Sequence, residues 1–413
     1  MDSGGGAADG FMRIHEALVG QGIESIAYVM KCQCRTPGVI DAPSLLGMKQ
    51  KSVWLSSRMA AKLGRLRRSV DGVFDFDDEG VFPVGPIINH ARSISAQWDA
   101  LLVHWPGGFV SPNSVARIAD ALGARIGLWQ VDMAHMTGGC HYSLSCDRYR
   151  EGCGCCPAMR SVKYRDVTHR QAESRARLWN RTGALVLAQS RWSARKAAES
   201  YVLRGLRCEV LPIPLDLSRF PETPDSVTAR ERLQLPSAES RIALVRTVDP
   251  KVIYKGFAVL HEALRRLDCA GIRLHVVGAG PRGYLPAGLR HVRVTELGHL
   301  RGDEAMSIAY QAADFFVCPS LDDAGPMMIP EAMASGRPVI STPVGIASDL
   351  ITDGLNGALC GPPGDPDALM QGLKHYAELP EPELRRQGLA AAAVRAKLSR
   401  EAFVSRLLRA FRS

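Results

Sequence analysis

Asp323 and Glu331 stand eight positions apart in the stretch PSLDDAGPMMIPEAMASGRPVISTPVG (319–345). An apolar run ends at Cys318, a loop with Gly325 and Pro326 follows, and a helical pattern then carries Glu331. Glycine at 325 has no Cβ, so the backbone there can approach a ligand closely. The first-turn amides of the helix would form an anion site suited to a pyrophosphate or sugar hydroxyls. Both carboxylates would line one cleft, where they accept hydrogen bonds from ribose or hexose hydroxyls. The plainer alternative makes Asp323 a helix N-cap and Glu331 a first-turn charge favoured by the helix dipole.

Three further segments carry chemical groups. VVGAGP (276–281) places Gly278 and Gly280 after an apolar strand, a weak dinucleotide signal because the third glycine is missing. MTGGCHYSLSCDRYREGCGCCP (136–157) holds Cys140, Cys146, Cys153 and Cys156, the last two as a Cys-x2-Cys knuckle. Four thiolates in a glycine-rich loop suit a structural, tetrahedral zinc. The spacing matches no standard zinc module, so free thiols stay open, as does a disulfide, which a reducing cytoplasm disfavours. His104, in LLVHWPGG (101–108), sits at a strand end beside Gly107 and Gly108 and would face a cleft. A lone histidine is as readily a satisfied structural residue. DFDDE (75–79) reads as a solvated acidic turn.

These groups must be positioned by an α/β framework. Strand patterns fall at 23–30, 100–105, 125–131 and 184–190, and then at 241–248, 273–280, 291–297, 314–320, 338–343 and 356–360. Helical patterns such as Phe11–Ile14–Leu18 and Phe257–Leu260–Leu264 lie between them. Short, near-continuous apolar strands alternating with helices indicate parallel sheets covered on both faces, here in two doubly wound halves. The 413 residues divide into an N-terminal domain over 1–210, a C-terminal domain over 211–380, and helices over 381–413 that pack back toward the first domain. The loop Gly4–Gly5–Gly6 and the helix after it resemble the turn that follows a first, central strand, which is expected upstream of Met1.

Apolar residues make up 46% of the chain and charged residues 23%, which excludes a disordered chain or a fibre. No apolar run reaches the ~18 residues of a membrane span, and the glycine-rich start is no signal peptide, so the expected compartment is the cytoplasm. Lys and Arg outnumber Asp and Glu by 51 to 42, a net +9 that calls for an anionic partner. Arg58, Lys62, Arg65, Arg67 and Arg68 supply part of it, either as a solvated helix face or as a peripheral docking surface for anionic lipid. No module with aromatics interleaved among basic residues points to nucleic acid.

The 319–345 stretch resembles the Glu-x7-Glu segment of family 4 glycosyltransferases, with Asp323 in place of the first acid. The cysteine stretch is similar to one found in a subgroup that builds bacterial exopolysaccharides, of colanic-acid type. The resemblance implies the GT-B fold, two facing Rossmann-like domains with a cleft between them. It implies a retaining transfer of a hexose from a nucleotide diphosphosugar, a UDP-sugar by expectation, to a hydroxyl acceptor, with no catalytic divalent metal. Glu331 would bind the ribose and Asp323 the donor sugar. Lys255, in YKGF (254–257), would hold the donor phosphates with Arg246 as its partner and Lys251 as the weaker candidate. Gly278, Gly280 and LGHLRG (297–302) would border the base. Gly325, Pro326, Met327 and Met328 would line the donor, faced by Gly5, Gly6 and His104 from the other domain. The subgroup reads Leu-His-Asp before the cysteine loop, whereas this chain has Gln130–Val131–Asp132, leaving His135 as the substitute. A lipid-linked or polysaccharide-precursor acceptor at the inner membrane face fits the basic helix. The alternatives are a soluble natural-product acceptor, a non-catalytic sugar-nucleotide binder, and an interaction protein stabilised by metal at the cysteine loop.

Overall fold

The computed structural model describes residues 6–32, 36–66, 82–236, 241–247 and 249–412. Gly5, the acidic turn at 75–79, Arg67 and Arg68 lie outside them, as do the side chains of Arg58, Lys62 and Arg65. The chain divides into two compact units, one of Met1–Pro212 with Phe403–Ser413 and one of Ile213–Ala402.

In the first unit, β1 (Ala27–Val29) pairs in parallel with β2 (Val39–Asp41). A separate parallel sheet runs β3 (Ala100–Val103), β4 (Arg125–Gln130), β5 (Leu185–Ala188) and β6 (Cys208–Val210), each beside the next. Among the described residues no strand joins β1 to β3. The crossover helices begin where the side chains of Ser111, Asp166 and Ser190 accept first-turn amides, satisfying donors that the helix itself cannot. Their apolar stripes meet the sheet in a core that includes Val115, Leu128, Leu178, Trp179 and Val186. The last helix, Arg400–Arg412, contributes Phe403, Val404, Leu407 and Ala410 as buried residues, with Phe403 against Trp129 at a 5.7 Å ring separation.

The second unit is a six-stranded parallel sheet built from β7 (Ile242–Arg246), β8 (Leu274–Ala279), β9 (Val292–Gly298), β10 (Phe315–Cys318), β11 (Val339–Ser341) and β12 (Gly357–Leu359). Their order is β9-β8-β7-β10-β11-β12. The chain thus builds outward from β7 on one side, returns, and builds outward from β10 on the other. Side chains alternate between the two faces. Leu244, Val277 and Phe316 pack under Met306, Tyr310, Met333 and Ala391, while Val245, Val276 and Phe315 pack under Leu260, Leu264, Leu373 and Tyr376. Burial on both faces explains why these strands read as continuous apolar runs rather than alternating ones.

The boundaries expected at 210 and 380 are drawn by packing at Pro212 and Ala402. Residues 381–402 stay with the second unit because Leu384, Ala391, Val394 and Leu398 are buried in its two cores.

Candidate active site

In an open parallel sheet, ligands bind beyond the carboxyl ends of the strands at the point where strand order reverses. In the second unit that point lies between β7 and β10. Arg246 is the last residue of β7, and the loop leaving β10 carries Asp323 before the short helix Met328–Ala334 that holds Glu331. A turn over Ile253–Lys255 follows β7 and ends at Gly256, whose φ is 71°. A Cβ at Gly256 would lie 1.8 Å from the Pro319 carbonyl oxygen, so only glycine lets this turn rest on the loop after β10. The Leu321 amide donates to the Tyr254 carbonyl at 2.7 Å, which ties the two loops together.

This contact brings four of the expected residues into two ion pairs. Lys255 Nζ donates to Asp323 Oδ2 at 2.7 Å, and Arg246 Nη1 donates to Glu331 Oε2 at 3.0 Å. The carboxylates are the buried members: the Asp323 and Glu331 side chains are 5% and 3% exposed, against 28% and 21% for Lys255 and Arg246. Asp323 Oδ1 also accepts the Gly325 amide at 3.1 Å, so Asp323 braces its own loop and does not cap the helix. Burial opposes the charge on Lys255, but the Asp323 carboxylate outweighs it and holds the ammonium pKa above its usual value.

Tyr310 completes the cluster. Its hydroxyl donates to the same Glu331 oxygen at 2.8 Å, and burial together with that carboxylate drives the phenol pKa well above its usual value. Tyr310 lies in the helix Gly302–Ala312 on an apolar stripe, which in the sequence reads only as core. Gly278 and Gly280 serve internal packing. A Cβ at Gly278 would meet the Tyr284 hydroxyl at 2.6 Å, and one at Gly280 the Thr247 carbonyl at the same distance. Pro326 is buried beside this loop, whereas Gly325, Met327 and Met328 are partly exposed. The helix after the loop is only 7 residues long.

The other expected groups lie in the first unit. Gly6 starts the helix Gly6–Gly20. His104 is buried rather than displayed, stacked on Trp129 at 5.5 Å with Phe11 edge-on at 5.1 Å. Burial lowers its pKa to about 3. His135 is also buried, with Nε2 3.3 Å from the His104 carbonyl oxygen, and burial lowers its pKa to about 4. Both rings stay neutral parts of the core. The cysteine loop is held from beneath by buried Arg175, which donates to the carbonyls of Ala134 and Thr137 at 2.9 and 2.6 Å. The Cys140 and Cys156 thiols act on one another, so that the Cys140 pKa is raised and that of Cys156 lowered to about 7. Cys153 Sγ accepts the Gly138 amide at 3.2 Å. Among the described residues no group of three or more His, Cys, Asp or Glu side chains is arranged to hold a metal ion.

Residues 240–378 match the family of group 1 glycosyl transferases. The matched segment spans β7 to β11, β12 and the helix that follows, and therefore all four charged residues. The chain is similar to the D-inositol 3-phosphate glycosyltransferase of Nocardia farcinica, 31% identical over 189 residues, 42% of this chain and 41% of that protein. The chain thus spans about two-fifths of the length of this relative. Among solved structures it is similar to sucrose-phosphate synthase from Thermosynechococcus elongatus, with a TM-score of 0.64, 17% identity, and coverage of 99% of this chain and 93% of the other. It is also similar to Anabaena HepE in complex with UDP-glucose, with a TM-score of 0.61, 15% identity, and coverage of 99% and 96%. At such identities the likeness speaks for the fold alone, and that fold is GT-B, with a Rossmann-like parallel sheet in each unit.

Removing one member of a buried ion pair strands the other, so Lys255→Met should cost about 3 kcal/mol in urea unfolding. The double variant Lys255→Met/Asp323→Asn should fall short of the sum of the single losses by about 1 kcal/mol or more; additive losses would contradict the pairing. Because the Lys255 pKa is raised, the contribution of the pair is fully present below the unfolded lysine value of about 10.4. It should fade only as pH rises through the higher folded value.

Proposed function

We propose that this protein transfers a hexose from a nucleotide diphosphosugar to a hydroxyl acceptor with retention of configuration. The observation that carries this reading is the pair of cation–carboxylate contacts at the β7–β10 switch point. The group 1 family match over the same segment supports it, as does the UDP-glucose bound by the structurally similar HepE. Lys255 and Arg246 would turn toward the diphosphate, whose negative charge grows as the glycosidic bond breaks. Asp323 and Glu331 would accept hydrogen bonds from the donor sugar and the ribose. Tyr310 and Arg246, both donating to Glu331 Oε2, would hold the carboxylate in place for the ligand.

Release of nucleotide from UDP-glucose, UDP-N-acetylglucosamine or GDP-mannose, with or without an added hexoside acceptor, tests the reading. At least one donor should be turned over, and Lys255→Met should slow release about 100-fold or more. Binding without release would leave a sugar-nucleotide binder. A folded sample that neither binds nor turns over any of the three would overturn the proposal.

We further propose that the acceptor is lipid-linked and met at an anionic bilayer. Among the described residues no helix is long and apolar enough to cross a membrane. The helix Met48–Leu66 instead keeps Trp54 in the core and leaves Met48, Val53, Leu55 and Met59 exposed, alongside exposed Lys49 and Lys51. Apolar side chains flanked by lysines suit a helix lying in the headgroup layer. Vesicles containing phosphatidylglycerol should sediment the protein in a salt-sensitive manner, and Leu55→Ser/Met59→Ser should weaken that partition about tenfold. Equal partition of the variant would contradict the contact.

A further inference from the structure

The second unit contains a cavity of about 300 Å³ that the reading above does not use. Asp314 and Pro338, two of its lining residues, immediately precede β10 and β11. The cavity therefore sits at the amino ends of the strands, whereas Arg246 marks the carboxyl end of β7. Three segments surround it: residues 222–226, residues 336–338 and the helix Glu381–Ala392. They meet main chain to main chain. A Cβ at Gly388 would lie 2.5 Å from the Gly336 carbonyl oxygen, and one at Gly336, whose φ is 68°, would lie 2.5 Å from the Glu222 carbonyl oxygen. The volume is at the small end of the range for small-molecule sites.

Arg337 lines this cavity and is only 8% exposed. Its Nε donates to the Tyr310 carbonyl at 3.0 Å, and Nη2 donates to the Ser226 hydroxyl at 2.8 Å and to the Gln311 carbonyl. These partners are neutral, and Nη1 has no hydrogen-bond partner among the described residues. The lining acids have cations of their own. Asp314 lies 3.0 Å from Arg230, Glu381 pairs with Arg241 and lies 3.7 Å from Arg385, and Glu222 lies 4.0 Å from Arg395. Among the described residues no carboxylate pairs with Arg337.

A guanidinium withdrawn from water with no anion beside it is costly. An oxyanion in the cavity would supply both the missing charge and an acceptor for Nη1. Pro224, Leu384 and Leu389 give the same cavity an apolar side, against which a short carbon body would pack.

We propose that this cavity is a ligand site separate from the switch point, and that it takes a small oxyanion, a carboxylate or phosphate monoester on a short carbon body, held by Arg337. The proposal stands independently of the transferase reading, because Arg246, Lys255, Asp323 and Glu331 take no part in lining the cavity.

The test uses the full-length chain with ¹³C-labelled leucine methyls, in which the resonances absent from Leu384→Ile report on the cavity. Titration with inorganic phosphate, glycerol 3-phosphate and succinate should move them for at least one anion, equally with and without excess UDP. A response to the phosphates alone identifies a phosphate ligand, and a response to succinate alone identifies a carboxylate. Arg337→Gln should weaken the responding anion about tenfold. Leu389 is 61% exposed, so substitutions there spare the core. Leu389→Glu, which puts a like charge beside the ligand, should weaken binding about tenfold, whereas the uncharged Leu389→Gln should hold it within about threefold. Leu384 methyls that ignore all three anions in folded protein would overturn the site. So would a response that UDP abolishes, which places the anion at the switch point, or equal affinities in Leu389→Glu and Leu389→Gln.

Discussion

The contact on which the candidate site depends is a backbone one, the seating of Gly256 against the Pro319 carbonyl. Strands β7 and β10 are adjacent in the sheet although β8, β9 and two helices, Phe257–Cys269 and Gly302–Ala312, intervene in the chain. Two loops therefore leave neighbouring strands at the place where the sheet changes direction of growth, and nothing in the strand pairing itself makes them touch. The left-handed turn at Gly256 and the hydrogen bond from the Leu321 amide to the Tyr254 carbonyl do so. With that contact made, Lys255 comes within reach of Asp323. Arg246, at the end of its strand, comes within reach of Glu331 on the helix beyond.

Once assembled, the cluster stores charge in a particular way. The two carboxylates are withdrawn from water and would be costly without their partners, whereas the two cations keep part of their surface in solvent. In the proposed reading, an anionic ligand arriving from solvent would meet the cations first. The ion pairs keep the cations at the switch point, from which they would turn toward the donor phosphates. Tyr310 adds to this by giving Glu331 Oε2 a second donor from beneath, so the carboxylate is anchored from two elements at once.

Much of the framework was legible in the chain. Strands such as RIALVRTV and RLHVVGAG stood out because both faces of the sheet are covered and nearly every residue must be apolar. Asp323 and Glu331 were legible as a pair because a loop glycine and a helical pattern lay between them. Their pairing with Lys255 and Arg246 was not, because it depends on a loop contact between segments some 65 residues apart in sequence. Tyr310 was hidden by its own chemistry: the ring belongs to the core, and only the hydroxyl reaches the site. His104 shows the opposite error. A histidine at a strand end beside two glycines reads as displayed, yet stacking on Trp129 with Phe11 edge-on buries it. Four of the five cysteines between 140 and 156 invited a metal; Cys153 Sγ accepts the Gly138 amide, a contact that spacing alone does not reveal.

Hydrogen exchange read by mass spectrometry, with and without saturating UDP-glucose, tests most directly whether the β7–β10 switch point holds the donor. Amides that pack against a bound nucleotide sugar lose access to solvent exchange. The account predicts slowed exchange in two separate segments, 253–257 and 320–329, together with smaller effects in the flanking strands, and the slowing should vanish in Glu331→Gln. Protection confined to other parts of the chain, or unchanged exchange at 253–257 and 320–329 under conditions where the nucleotide sugar is bound, would contradict it.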